Sequence, residues 1–182
     1  MTTIPTTLPS ICTALEEVEC DVARFFDALP AGVFAGRMGE AWSPAEHLSH
    51  LNTAVRTVAL AFSVPAWLLR LRFGRADRPS RSYEALRDDY RAVLAAGGKA
   101  SGRYVPRPEA SPNREAMLAR WARVNTRLRR ALARLNEKEL DRVVLPHPLL
   151  GKLTAREVAY FTVYHGGHHV EAVRRRLDEV RS

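Results

Sequence analysis

Four long stretches of this chain repeat apolar residues every three to four positions, and none alternates every two. The first, from Leu8 to Leu29, carries Ile11, Leu15, Val18, Val22 and Phe25 or Phe26. The second begins at Pro44 and carries Leu51, Ala54, Val58 and Ala61. The third, over 112–135, carries Leu118, Trp121, Val124, Leu128, Leu132 and Leu135. The fourth, over 154–180, carries Val158, Phe161, Thr162, His165, His169, Ala172 and Val173. This is the period of helices with one apolar face. Such helices hide their stripes by packing on one another, so the spacing predicts an all-α four-helix bundle. The length of 182 residues suits one domain over 1–182. There is no internal repeat or low-complexity tract, and the pattern predicts no strand ladder.

Local signals place the helix ends. Pro30, Gly32 and Gly36 close the first helix. Ser43-Pro44-Ala45-Glu46 opens the second as a capping box with proline at the first helical position. Thr154 and Glu157 repeat the box at the fourth. Pro65 is expected to kink the second helix, with PAWLLRLRFG continuing it to Gly74. Residues 75–110 form an irregular or short-helical insertion between helices two and three. In it, RADRPSRS reads as a polar linker, SYEALRDDYRAVLAAGG as a short helix capped by Ser82, and GKASGRYVPRPEASP as a loop. NEKELDRVVLPHPLLGKL is expected to be an extended connection around its two prolines.

The net charge of +8 raises the question of a nucleic-acid partner. The arginines are dispersed along the chain without a basic-aromatic motif, so solvated helix faces are the favoured reading. A nucleic-acid binder would show affinity that falls steeply with salt. No run of about 18 apolar residues is present, so no membrane span is expected. The N-terminus lacks the pattern of a signal peptide, and a cytoplasmic location is expected. Cys12 and Cys20 lie about 12 Å apart along one helix, too far for a disulfide, and are expected as reduced thiols.

Five of the six histidines fall on expected helices, in two clusters: His47 and His50, then His165, His168 and His169. Residues four apart on a helix share a face, so His165 and His169 both point inward. His168 lies toward the edge of that stripe, and His50 and His47 lie at the front of the second helix. Two inward imidazoles four apart can present two metal ligands, with a third from an adjacent helix, for which His50 is the candidate. The competing reading is a set of core-edge histidines satisfied by backbone or tyrosine hydroxyls. Gly166 and Gly167 interrupt this helix between the inward pair, at roughly 1 kcal/mol each relative to Ala. They suit close approach of another helix or of a ligand.

WSPAEHLSHL and HPLLGKLTAREVAYFTVYHGGHH, in this order, resemble the DinB-like (DinB/YfiT) superfamily over roughly residues 10–178. Members have a tryptophan-serine helix start, a histidine eight residues later, and a histidine pair four apart in the last helix. The resemblance implies a four-helix bundle, often dimeric, that binds zinc, nickel or iron through three histidines. On this chain those positions are His50, His165 and His169. It implies a metal-dependent thiol transferase or hydrolase acting on a small molecule, the former using a low-molecular-weight thiol. The alternative is a non-catalytic stress-response or binding bundle with a structural or vestigial metal site. The chain departs from the common pattern after His169, where Val170-Glu171-Ala172 stands in place of a nearby glutamine.

Glu46, one turn before His50, is a candidate general base, although its place in the capping box competes with that role. Tyr164 is a candidate donor to substrate, or a packing residue. His147 is expected either over the mouth of a pocket or on the surface. Trp67, Leu68, Leu71 and Phe73 are more apolar than a solvated helix end needs, which makes their segment a candidate homodimer contact. An enzyme would leave a coordination position open, whereas a structural site would be closed by a fourth ligand such as His47 or His168.

Overall fold

The computed structural model describes residues 5–37 and 39–181. The four long helices are α1 (Leu8–Asp27), α3 (Pro44–Phe62), α6 (Arg114–Leu132) and α8 (Ala155–Arg181). Shorter helices α2 (Ala31–Ala35), α4 (Ala66–Phe73), α5 (Tyr83–Ala95) and α7 (Glu137–Arg142) lie between them. Both α1 and α3 pack against α6 and α8, which closes a ring of four. Its centre is filled by fully buried Leu15, Phe26, Leu48, Leu51, Trp121 and Leu128. This is the expected four-helix bundle.

The expected caps form. Ser43 Oγ accepts from the Glu46 amide at 3.2 Å, and the Glu46 carboxylate accepts from the Ser43 amide at 2.7 Å. At α8, Thr154 Oγ1 accepts from the Glu157 amide at 3.2 Å and Glu157 Oε2 accepts from the Thr154 amide at 2.9 Å. Each box satisfies two amides that the helix start would leave orphaned. Ser82 caps α5 as anticipated.

Several expectations need correction. Pro65 breaks the second helix instead of kinking it, and α4 leaves α3 at 102°. Proline has no N–H to continue the ladder, and the Pro65 carbonyl instead accepts from Leu68 and Leu69 to start α4. The connection before α8 is a short helix, α7, followed by an antiparallel hairpin of β1 (Val144–His147) and β2 (Gly151–Thr154). Four-residue strands are too short to show a period, and Pro146 masks the first of them further. The apolar stripe of α3 is also two stripes. Leu48, Leu51, Val55, Ala59 and Phe62 enter the core, while half-buried Ala54, Val58 and Ala61 turn toward a cavity.

Segment 75–82 is polar and mostly exposed, as expected, but it is anchored to the body of the fold. Glu157 is fully buried and takes a two-pronged hydrogen bond from Arg78, at 2.6 and 2.9 Å, and further bonds from Arg81. Ser80 Oγ bridges to Asp141 and Thr154 at 2.6 and 2.8 Å. These contacts hold the segment against the start of α8 and fix where α5 begins. α5 then lies against α8.

The two glycines of α8 have different surroundings. A Cβ on Gly166 would stand 2.7 Å from Val18 Cγ2 and 3.3 Å from Val22 Cγ2, so the missing side chain lets α1 close on α8. A Cβ on Gly167 would meet nothing within 4 Å, and no contact explains that glycine. Of the two approaches expected at this turn, Gly166 serves the one between helices.

Candidate metal centre

His50 reaches the site from α3, and His165 and His169 reach it from α8. All three rings are buried. His165 Nε2 stands 3.2 Å from His50 Nε2 and 3.0 Å from His169 Nε2. Two nitrogens bonded to one ion at about 2.1 Å stand about 3.0 Å apart at a right angle and about 3.4 Å apart at the tetrahedral angle. The observed separations fall in that range.

The far side of His50 says which of its nitrogens is free to ligate, and the far side of His169 meets a second imidazole. His50 Nδ1 lies 2.6 Å from the Tyr104 carbonyl oxygen. A carbonyl only accepts, so Nδ1 carries the hydrogen and Nε2 keeps its lone pair. His169 Nδ1 lies 2.7 Å from His47 Nδ1. With His169 as the donor in this pair, its Nε2 also presents a lone pair to the cluster. Remote hydrogen bonds of this kind orient ligating imidazoles. Trp42 stacks on His169 with ring centroids 6.3 Å apart and planes 6° apart, and Phe161 stacks on His165 at 4.8 Å and 26°.

Electrostatics keep the rings neutral. Burial pushes His165 and His169 well below the ordinary histidine range, and the neighbouring imidazoles add to it. Burial lowers His47 to about 4, with His50 and His168 contributing. Burial lowers His50 as well, although the bond to Tyr104 works in the other direction. Neutral imidazole is the form that binds a metal ion.

Among the described residues, no acid, cysteine or fourth histidine joins the three to make a larger cluster. His47, weighed from sequence as a fourth ligand, stands behind His169 with Nδ1 against Nδ1. His168 packs against the rings of Tyr90 and Tyr164, at 5.8 Å from each. The open side of the cluster faces a cavity of about 1110 Å³ whose wall is mostly apolar. α3 contributes Val58 and Ala61, α5 contributes Tyr90 and Leu94, and the hairpin contributes Leu145 and His147.

Neither catalytic candidate from the sequence lines this cavity. Glu46 is buried in its capping box. The Tyr164 hydroxyl accepts from Arg91 Nε at 3.2 Å. Sequence reasoning missed Tyr90 and the Tyr104 carbonyl. Tyr90 is buried against Phe161 and His165, at 5.0 and 6.3 Å, and burial, with Tyr164, pushes its hydroxyl up to about 12. The spacing of Tyr83, Leu86 and Tyr90 carries the signal of an inward face on α5. A backbone carbonyl in a loop leaves no such signal.

A helical bundle that turns three inward imidazoles from two facing helices toward one cavity is, as a class, a candidate metal-binding four-helix bundle. Comparison with protein families agrees: the model of the DinB superfamily matches residues 14–173, and the chain belongs to that superfamily. Among solved structures the fold is similar to TT2238, described as a four-helix bundle protein. The TM-score is 0.58 at 16% identity, over 93% of this chain and 99% of that one. No curated protein gives a significant match.

Proposed function

We propose that this protein is a metal-dependent enzyme that holds one divalent transition-metal ion on Nε2 of His50, His165 and His169. The substrate would be a small molecule in the adjoining cavity. The convergence of the three Nε2 atoms carries this reading. His165 Nε2 stands 3.2 Å from His50 Nε2 and 3.0 Å from His169 Nε2, and one ligand atom from each of the three lies within 4.8 Å of the others, a spacing that one cation would span. A divalent ion on three neutral ligands keeps its full charge and would act as a Lewis acid toward water or a thiolate. The chain's own residues hold the geometry: Tyr104 orients His50, His47 orients His169, and Trp42 and Phe161 fix ring planes. Glu40 and Glu179 line the wider cavity, but among the described residues no carboxylate joins the cluster, and Glu46 is committed to its cap. That favours transfer of a low-molecular-weight thiol over hydrolysis. Zinc, nickel and iron all suit imidazole.

The alternative, a non-catalytic bundle with a structural ion, requires a closed coordination shell. The side of the cluster facing the cavity argues against it. We also propose that the chain forms a homodimer through α4, whose Trp67 and Leu71 are 60% and 78% exposed.

The deciding measurement is elemental analysis of the untagged protein beside His165→Ala. About one equivalent of a transition metal, lost in the variant, supports the site and directs assays to thiol transfer first. No metal in the wild type, and none taken up on addition, would overturn the proposal.

A further inference from the structure

His147 ends β1, and its ring folds back over its own turn. His147 pairs with Gly151 across the hairpin, and residues 148–150 form a three-residue loop closed by Gly151 at φ +71°. Within that loop, His147 Nδ1 accepts from the Leu149 amide at 3.2 Å and from the Leu150 amide at 3.1 Å. Backbone amides only donate, so Nδ1 has a lone pair there and cannot bear a hydrogen. The ring is therefore neutral and its single hydrogen is on Nε2. No described residue accepts from Nε2 in a hydrogen bond, and the residue lines the cavity.

The ring is also fixed in place. It meets Phe161 edge to face at 4.4 Å, and Phe161 in turn stacks on His165 at 4.8 Å. The His147 donor is therefore one aromatic ring removed from the histidine cluster. It is an N–H in a largely apolar wall that also includes Leu145, Leu149, Val158 and Phe161.

We propose that His147 Nε2–H is a substrate-positioning donor, and that the cavity takes an apolar small molecule carrying an uncharged carbonyl-type oxygen. A fixed donor on an apolar wall orients a ligand by its one acceptor. A carboxylate would bring a charge beside a ring that cannot take up a compensating proton at Nδ1 without losing two amide bonds. The charged cavity residues, Lys99, Arg175, Arg176, Glu40 and Glu179, are of both signs, and Arg176 is bound to Glu179 at 2.9 Å. The inference rests on reading the cavity as a small-molecule pocket, and it is independent of the ion.

Two measurements on the full chain test it. Nitrogen-15 NMR of the wild-type histidines is expected to show His147 protonated on Nε2 and unprotonated on Nδ1. The opposite tautomer overturns the proposal without any variant. Calorimetric titration with 2-acetylnaphthalene and its hydrocarbon analogue 2-ethylnaphthalene tests the donor. The ketone is expected to bind on the order of fivefold more tightly, the worth of one net hydrogen bond. In His147→Asn the amide oxygen can replace Nδ1 in the turn, but nothing replaces Nε2. The ratio of the two affinities is expected to fall to about one, whatever the change in hydrocarbon binding itself. A preference that survives in the variant, equal binding by the wild type, or no binding of either probe overturns the proposal. Repeating the titration on chelator-treated protein separates the two readings. A preference kept after chelation belongs to His147, whatever elemental analysis finds.

Discussion

His47 and His169 meet Nδ1 to Nδ1 at 2.7 Å, on the side of the His169 ring turned away from the three-histidine cluster. Only one of these nitrogens can carry the hydrogen of the bond. The pair therefore decides which nitrogen His169 offers to an ion. Replacing His47 by alanine leaves all three Nε2 atoms in place but frees one ring. Metal affinity is expected to fall about 10- to 100-fold, with one ion per chain still bound at saturation. Competition against a chromophoric chelator measures both quantities. Unchanged affinity would show that the contact does not set the ring.

The glycine pair of α8 predicts two effects of opposite sign. Gly167→Ala adds a methyl into open space and gains helix propensity, so stability rises by up to about 1 kcal/mol. Gly166→Ala drives a Cβ to 2.7 Å from Val18, a clash whose cost of about 1–3 kcal/mol outweighs the same gain. Urea unfolding of the two variants distinguishes them. Equal shifts would mean that α1 can move away from α8 at little cost.

Acid stability should report on Glu157. Burial alone would raise its carboxyl, but hydrogen bonds from Arg78, Arg81 and the Thr154 amide outweigh burial and hold it at about 2, against an ordinary 4.5. A depressed carboxyl stabilises the fold in its ionised form. That contribution is complete above about pH 4.5 and is lost as pH falls toward 2. It amounts to at most about 3 kcal/mol. Glu157→Gln is expected to lower stability at neutral pH and to flatten the fall between pH 4.5 and 2. A variant whose acid limb runs parallel to the wild type would contradict this.

The proposed dimer is tested on α4. Leu71→Glu places a charge on the most exposed large apolar side chain among the described residues without touching the core. Light scattering is expected to give a dimeric mass for the wild type and a monomeric mass for the variant. A monomeric wild type at micromolar concentration would end the idea.

Much of the fold was legible because long helices carry their own record. The stripe of α8 contains several turns of inward residues, and a capping box marks its start. The two α8 histidines were legible for the same reason, since a spacing of four fixes a shared face. The hairpin was not legible. Val144–His147 and Gly151–Thr154 are too short for an alternating pattern to stand out, and their pairing depends on a turn conformation. The fate of Arg78 and Arg81 was hidden too. Their partner Glu157 lies more than seventy positions away, and the sequence marks it only as a capping residue. The second face of α3 escaped because a wall of Ala54, Val58 and Ala61 reads like core until the cavity beside it is seen.

Tyr104 has two attachments. Its carbonyl takes the His50 Nδ1 hydrogen, and the residue itself lines the cavity. An ion on His50 and a guest beside Tyr104 would therefore act on the same short turn, Gly102–Tyr104. If the guest steadies that turn, it steadies the imidazole, and the ion is held more firmly. Thermodynamic reciprocity requires the converse in equal measure: the ion would tighten the guest by the same factor. The loop would then be a transmission between cargo and cofactor, with a single peptide oxygen as its gear.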